Sequence, residues 1–191
     1  MTLTLPQLNV RRLAERLTEV PVVGLDVGRA AVKAARVSWR AGVVQLDGWA
    51  VRPIDSHDVF GALRAVLKQA KADTAHAVLG LASPELIVKP FQVPAIPKKE
   101  LASAMQLEAE QCILNGHTPQ EVVSDWHVLS TSTQSMRGVL AVVPKSLVAA
   151  RTRLARSIGL QPICVDAEGL AAWNAYWSLV GRLQPARVRA L

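Results

Sequence analysis

The sequence predicts a mixed α/β fold, and three observations support this class. Short runs of β-branched residues alternate with segments whose apolar residues recur at helical spacing. Hydrophobic residues make up 50% of the 191 positions, which is enough to form a buried core. The longest uninterrupted apolar runs, such as residues 139–143, are far shorter than the roughly 18 to 20 residues that a membrane-spanning helix needs.

The first part of the chain predicts a helix, a three-stranded meander, a second helix and a fourth strand. Pro21 ends the first helix, which is short and amphipathic. Tight turns join the next three strands, and this predicts antiparallel pairing. Asp55 or Ser56 is placed to cap the second helix. The predicted bounds are 7–20 (helix), 22–27, 32–39 and 43–51 (strands), 59–70 (helix) and 75–81 (strand).

From residue 83 the predicted order changes to strand, helix, strand, strand. Pro97 suits the first turn of the helix, because its missing N–H group is not needed there. Asn115 and Gly116 end the helix, and the polar residues 130–135 form the turn between the last two strands. The strands are 86–93, 121–129 and 137–143, and the buried helix stripe is Leu101, Ala104, Met105, Cys112 and Ile113.

The last quarter returns to alternating helices and strands. A helix over 146–157 ends at Gly159, and a strand over 161–165 and a helix over 167–180 follow. Residues 186–191 have the pattern of an unfinished strand, which we interpret as a sign of an incomplete domain. Three aromatic residues share one face of the last helix, and this spacing predicts that they belong to a core. If the other side of that core is missing, we expect them to be exposed instead. They are Trp173, Tyr176 and Trp177.

The net charge of +7 is spread almost evenly along the chain, which argues against a nucleic-acid groove. One local imbalance exists, because no acidic residue lies between Asp125 and Asp166 while five basic residues do. This basic stretch is either a solvated helix face or a surface that attracts an acidic partner tail or anionic lipid. The basic residues are Arg137, Lys145, Arg151, Arg153 and Arg156.

Cysteine and histidine give no sign of redox or metal chemistry. Cys112 and Cys164 lie far apart in apolar stretches, which predicts buried thiols rather than a disulfide. The four histidines lack the spacing of a zinc site.

The candidate functional site in the sequence is the turn within residues 24–33 (GLDVGRAAVK). Gly24 and Gly28 allow backbone N–H groups to approach an anion, and Asp26 can hold Mg²⁺ through water. Lys33, on the following strand, supplies a positive charge to the same site. These residue types suit a phosphate group, although an Asp-x-Gly turn is equally typical of an ordinary hairpin.

Together with the elements around it, this turn resembles the first phosphate loop of the actin-like ATPase superfamily. Within that superfamily the chain is similar to the type IV pilus assembly protein PilM family over about residues 22–191. The segments that carry the resemblance follow the family's order: 23–36 (VGLDVGRAAVKAAR), 107–113 (LEAEQCI), 121–129 (EVVSDWHVL) and 165–171 (VDAEGLA).

The resemblance implies an actin-like (ribonuclease H-like) first half with an inserted strand-helix-strand-strand subdomain. Residues 21–82 plus 144–191 would form the first subdomain, residues 83–143 the insertion, and residues 1–20 a helical extension. The second phosphate loop and the adenosine-binding segment would then follow residue 191. ATP and Mg²⁺ are therefore expected in a full-length relative, and no cofactor is expected for this chain.

One departure from the family's pattern also bears on nucleotide binding. Arg29, Ala30 and Ala31 stand where relatives usually place small hydroxyl residues. The chain therefore lacks hydroxyl donors that would contact a phosphate, and it carries a bulky cation in their place.

The resemblance further implies a cytoplasmic scaffold without catalytic activity, which binds the N-terminal tail of an inner-membrane PilN-like pilus protein. In the family this tail lies between the two subdomains, and we expect it to run along one of two predicted strands. Membrane association would come only through the partner, and self-association through exposed aromatic residues is also expected. The candidate peptide-binding residues are Leu86, Val88, Val93, Val139, Ala141 and Val143.

Two other interpretations of the sequence stay open. The chain is also compatible with the first half of a sugar-kinase-like, ATP-dependent phosphotransferase. It is also compatible with part of a type II secretion L protein or an FtsA-like membrane-tethering protein.

Overall fold

The computed structural model describes residues 20–40, 43–113 and 117–176. The predicted helix over 7–20, apart from its last residue, lies outside the described residues. The same holds for the turn at Ala41 and Gly42, the pair Asn115 and Gly116, and all residues beyond Tyr176, which include Trp177 and the predicted strand over 186–191.

The described residues form eight strands and four α-helices, close to the predicted bounds. The strands are β1 (Val22–Val27), β2 (Ala31–Arg40), β3 (Val43–Pro53), β4 (His76–Leu81), β5 (Ile87–Pro94), β6 (Val122–Thr131), β7 (Ser135–Pro144) and β8 (Gln161–Ala167). The helices are α1 (Val59–Gln69), α2 (Lys98–Glu110), α3 (Lys145–Ser157) and α4 (Glu168–Tyr176).

Five strands form the larger sheet, in the order β3-β2-β1-β4-β8. Strands β1, β2 and β3 pair antiparallel, which confirms the predicted meander, whereas β4 is parallel to β1 and β8 is parallel to β4. A bulge on β3 shifts the register, so that Arg36 lies opposite Gly48 and Val37 lies opposite Leu46.

Helices α1 and α3 cover one face of this sheet. Leu63 and Val66 of α1 and Ala155 of α3 share one buried cluster with Val23 and Leu25 of β1. Because the side chains of a strand alternate between its two faces, both helices lie on the same side.

The N-cap of α1 differs from the prediction. Asp58 is the cap, and its carboxylate accepts a hydrogen bond from the Gly61 N–H group at 2.8 Å. The predicted caps, Asp55 and Ser56, lie in a 3₁₀ turn that precedes the helix, where Ser56 has a φ of 49°. The chain therefore turns once more before α1 begins.

Three strands form the smaller sheet, in the order β5-β7-β6, and both pairings are antiparallel. Helix α2 packs on one face through Leu101 and Met105, which share a core with Phe91 and Leu140. Pro97 is the residue before the helix rather than part of its first turn. Of the predicted stripe, Ala104 and Ile113 are half-buried and the other three residues are buried.

In the sequence, the smaller sheet lies between β4 and β8, which are neighbours in the larger sheet. Helix α3 returns the chain from β7, and Gly159 ends it with a φ of 85°, a conformation that glycine adopts without strain. Among the described residues, no helix is long and apolar enough to cross a membrane.

Candidate functional site

The turn between β1 and β2 is a tight hairpin. The Gly28 N–H group donates to the Ala31 carbonyl at 3.0 Å, and a Cβ on Gly28 would lie 3.1 Å from the same oxygen. The Ala30 carbonyl accepts from the Ile54 N–H group at 2.8 Å. The Gly28 N–H group is therefore used within the turn, whereas the sequence predicted that it would be available to an anion.

Asp26 and Lys33 lie directly opposite each other on β1 and β2. The Lys33 Nζ atom is 2.7 Å from Asp26 Oδ2 and 3.8 Å from Oε1 of Glu168, the first residue of α4. The hydrogen bond to Asp26, together with the charges of Asp26 and Glu168, raises the pKa of Lys33. The ammonium group therefore stays charged and is already paired with carboxylates.

A second acidic residue lies at the carboxyl ends of the parallel strands. Asp166 on β8 lies opposite Gly80 on β4, and a Cβ on Gly80 would be 3.5 Å from the Asp26 Cβ. Burial, together with the negative charge of Asp125, raises the pKa of Asp166, although the Ala167 N–H group opposes this rise. Ligands of open α/β sheets bind at this end of the strands, so a nucleotide site would form here.

The described residues at this sheet end do not fit an ATP–Mg²⁺ site. Lys33 is paired with Asp26, the Gly28 N–H group is used in the turn, and residues 29–31 offer no hydroxyl group. The hairpin does bring the predicted residues Asp26 and Lys33 together as an ion pair, whereas Gly24 lies opposite Ala35 and Gly28 closes the turn with Ala31.

A second candidate site is the face of the three-stranded sheet opposite α2, which we call the cleft face. Val88 pairs with Ala141, and the next alternate residue of β7, Val139, pairs with Pro90. Val143, two residues from Ala141, is 8% exposed, whereas Val88 is 42% exposed. Four of the six predicted peptide-binding residues therefore share this face: Val88, Val139, Ala141 and Val143.

The other two predicted residues are not on the cleft face. Val93 is an odd number of residues from Val88, so it faces α2, where it is 7% exposed and packs with Phe91. Leu86 precedes β5, and its N–H group donates to the Ser83 carbonyl at 3.1 Å in a turn.

The pairing of the strands also restricts how a peptide could bind. Strand β7 has β5 on one side and β6 on the other, so its backbone cannot pair with an added strand. Residues 139–143 can therefore contact a peptide only through their side chains. Among the described strands, β5 is at an edge of this sheet and has a neighbour on one side only.

Strand β8 lies beside the β6 end of the cleft face. Burial, followed by the charges of Asp166 and Asp125, raises the pKa of Cys164 to about 12. Asp125 belongs to β6 and Cys164 to β8, so the two sheets approach each other at these strands. The β6 edge of the cleft face is therefore the edge that lies near the larger sheet.

The residues that β6 contributes to the cleft face are not among the predicted peptide-binding residues. Val123 pairs with Val143, and Asp125 pairs with Ala141. The register of the β6–β7 hairpin could have predicted them, because its turn is fixed by Ser132, whose N–H group donates to the Ser135 carbonyl at 2.8 Å.

The basic stretch is distributed over β7 and α3 rather than over one helix face. Lys145 Nζ donates to the Gln120 carbonyl at 2.6 Å. On α3, Arg153 and Arg156 are exposed and Arg151 is half-buried. The two exposed arginines leave α3 with a positive surface.

Trp173 and Tyr176 on α4 are exposed by 46% and 50%, and their rings stack with centroids 6.1 Å apart. The expectation of a core position is therefore wrong for these two residues, and the alternative expectation that aromatic residues of this helix are exposed is confirmed. The cysteines are both free, with Cys112 buried, as predicted, and Cys164 half-buried.

Comparison with known proteins relates the chain to pilus assembly proteins. A family model described as type IV pilus assembly protein PilM matches residues 24–190. No curated protein matches the sequence significantly.

Three solved structures illustrate the likeness. A chain of a PilM-PilN type IV pilus biogenesis complex matches with a TM-score of 0.71 and 26% identity, over 86% of this chain and 51% of that one. The cytoplasmic domain of EpsL, an inner membrane component of the type II secretion system of Vibrio cholerae, matches with a TM-score of 0.52 and 15% identity, over 76% and 56%. A Bacteroides thetaiotaomicron protein with an actin-like ATPase fold matches with a TM-score of 0.40 and 8% identity, over 84% and 58%. The chain thus spans about half the length of the relative in the PilM-PilN complex.

Proposed function

The chain belongs to the type IV pilus assembly protein PilM family, and from this premise we propose that it is a scaffold that binds the N-terminal tail of an inner-membrane PilN-like protein. The observation that carries the proposal is the cleft face, where the apolar side chains of Val88, Val139 and Ala141 lie beside Asp125, which is close to β8. The similar chain in a PilM-PilN complex supports the choice of partner.

Recognition of the tail would combine side-chain contacts with a few backbone hydrogen bonds. An extended peptide that lies on the cleft face contacts Val139 and Ala141 with alternate side chains. The outer edge of β5, which no other described strand covers, would serve for backbone pairing, but Pro90 and Pro94 have no N–H group to donate. Affinity would therefore come mainly from apolar side chains in the cleft.

The proposed binding requires no nucleotide turnover. The hairpin with Asp26 and Lys33 lies on the five-stranded sheet, whereas the cleft face lies on the three-stranded sheet. We therefore propose a protein without catalytic activity, held at the cytoplasmic side of the inner membrane by its partner. Exposed Arg153 and Arg156 would increase the association rate of a tail that carries acidic residues.

The experiment measures binding of a synthetic peptide with the N-terminal sequence of a PilN protein, by fluorescence anisotropy. Val88→Lys places a charge on the cleft face, and Leu107→Lys is the matched control on α2, which covers the opposite face of the same sheet. Both residues are exposed, by 42% and 61%, so both variants should fold. We expect V88K to weaken binding at least tenfold and L107K to leave it unchanged.

A third variant separates the two candidate sites. Asp26→Ala should leave peptide binding unchanged, because Asp26 lies on the other sheet. If Asp26→Ala abolishes binding and Val88→Lys does not, the tail binds near the hairpin and the proposed cleft is wrong.

A further inference from the structure

In the part of the chain that the structure describes, strands β2 and β3 have one face packed against helices and another that carries exposed apolar side chains. Ala34 of β2 pairs with Ala50 of β3, and both are buried on the side of α1 and α3. The alternate residues face the opposite side, where Trp39 pairs with Val44 and Val37 pairs with Leu46. We call this surface the open face, and its exposed residues are Trp39, Val44, Leu46, Trp49 and Val51.

The open face is unusually apolar for a surface in water. Trp49 is 65% exposed, Leu46 60% and Val44 55%. Val51 and Trp39 are 47% and 36% exposed. With the areas typical of such side chains, the five residues expose about 500 Å², near the upper end for the largest apolar patch of a monomeric protein.

We propose that two copies of this chain pack their open faces against each other as a twofold-symmetric dimer. Two such faces bury about 1,000 Å² together, which reaches the lower limit for a specific protein interface. A twofold contact uses the same patch on both copies, and each open face would cover the other. Packing of two twisted sheets face to face is also a common arrangement in proteins.

The charges on the open face favour this contact. Among the paired residues of β2 and β3, Lys33 is the charged residue that shares the open side by alternation, since it pairs with Val51, and Asp47 lies in the bulge. The Lys33 ammonium group is neutralised by Asp26 at 2.7 Å. The two faces can therefore meet without repulsion between like charges, although the chain carries a net charge of +7.

The test is sedimentation velocity of the 191-residue chain over a range of about 5 to 500 µM. We expect a monomer–dimer equilibrium with a dissociation constant of about 10 to 100 µM, because the buried area is at the low end for a specific interface. Trp49→Ser and Val44→Lys should each weaken the dimer at least tenfold. Circular dichroism confirms that each variant keeps its fold.

Two control variants test other exposed apolar residues. Leu129→Ser changes a residue of β6 that is 67% exposed, and Tyr176→Ser changes the stacked pair on α4. Both should leave the dimer unchanged. The proposal is overturned if the chain stays monomeric throughout, if the dimer persists in both open-face variants, or if Tyr176→Ser alone dissociates it.

Discussion

Replacement of Gly138 by alanine tests how closely the strands of the smaller sheet pack around β7. Gly138 lies opposite Phe91 on β5 and Val128 on β6. An added Cβ would collide with the carbonyl oxygen of His127 and lie 2.6 Å from two ring carbons of Phe91. The backbone oxygen cannot rotate away, and the Phe91 ring is 5% exposed, so it has little space into which to move.

The expected cost follows from these two contacts. Overpacking of a filled core usually costs about 1 to 3 kcal/mol, and the collision with a backbone atom favours the upper part of this range, about 2 to 3 kcal/mol. A chain of this length loses about 2 to 4 °C in Tm per kcal/mol, so we expect Gly138→Ala to lower the Tm by about 5 to 10 °C.

Thermal and urea denaturation followed by circular dichroism measure this effect. Gly169→Ala is the matched control, because Gly169 lies in α4 and an added Cβ meets no atom within 4 Å. Alanine is a better helix former than glycine, so the control should be more stable by about 0.5 to 1 kcal/mol. If Gly138→Ala melts within about 1 °C of the unchanged chain, the close approach of β6 and β7 at Gly138 is wrong.

Three further predictions concern the hairpin, Asp166 and the cap of α1. Calorimetry with Mg-ATP should detect at most weak binding, because Lys33 is already paired with Asp26; a dissociation constant in the low micromolar range would contradict this. Burial raises the pKa of Asp166 in the folded state. In acid, below the unfolded-state pKa, the carboxyl group is neutral in both states and costs the fold nothing, whereas stability is lost as pH rises through the folded-state pKa, because the buried group then becomes charged. Asp166→Asn should therefore be more stable than the unchanged chain near neutral pH and equally stable in acid, as measured by the urea midpoint. Equal stability of the two chains at both pH values would contradict the raised pKa of Asp166. Asp58→Ala should lower stability by about 1 kcal/mol and Asp55→Ala by much less, in the same assay; equal losses would contradict the cap.

The sequence predicted the elements well because their signals are local. Strands and helices followed from alternation and helical spacing, and the hairpin with Asp26 and Lys33 followed from an Asp-x-Gly turn between two strands. The cap of α1 was placed wrongly, because Asp55 and Asp58 offer the same side chain three residues apart. Only the 3₁₀ turn at Asp55–His57 decides between them.

The cleft face could be predicted only in part. The sequence of β7 indicated that its side chains alternate between two faces. It did not indicate that β5 and β6 would lie on either side of β7 and form hydrogen bonds with its backbone. The nearness of Asp125 to Cys164 depends on how two separate sheets meet, and no local pattern encodes that contact. The open face could not be predicted, because Trp49 and Leu46 are residue types that are usually buried. Whether such a residue is exposed depends on what packs against its sheet, and the local sequence does not show that.

The position of the smaller sheet between β4 and β8 has a consequence for the order of folding. These two strands are neighbours, yet their pairing closes a loop of roughly 80 residues, whose entropy cost grows only slowly with length. The smaller sheet has a core of its own around Phe91, Met105 and Leu140, so it can collapse early and draw the two ends of this loop together. Docking of β8 is then expected to be the late, slow step in refolding. Because β8 lies near the β6 edge of the cleft face, a peptide that binds to this face would bind preferentially to chains in which β8 has already docked.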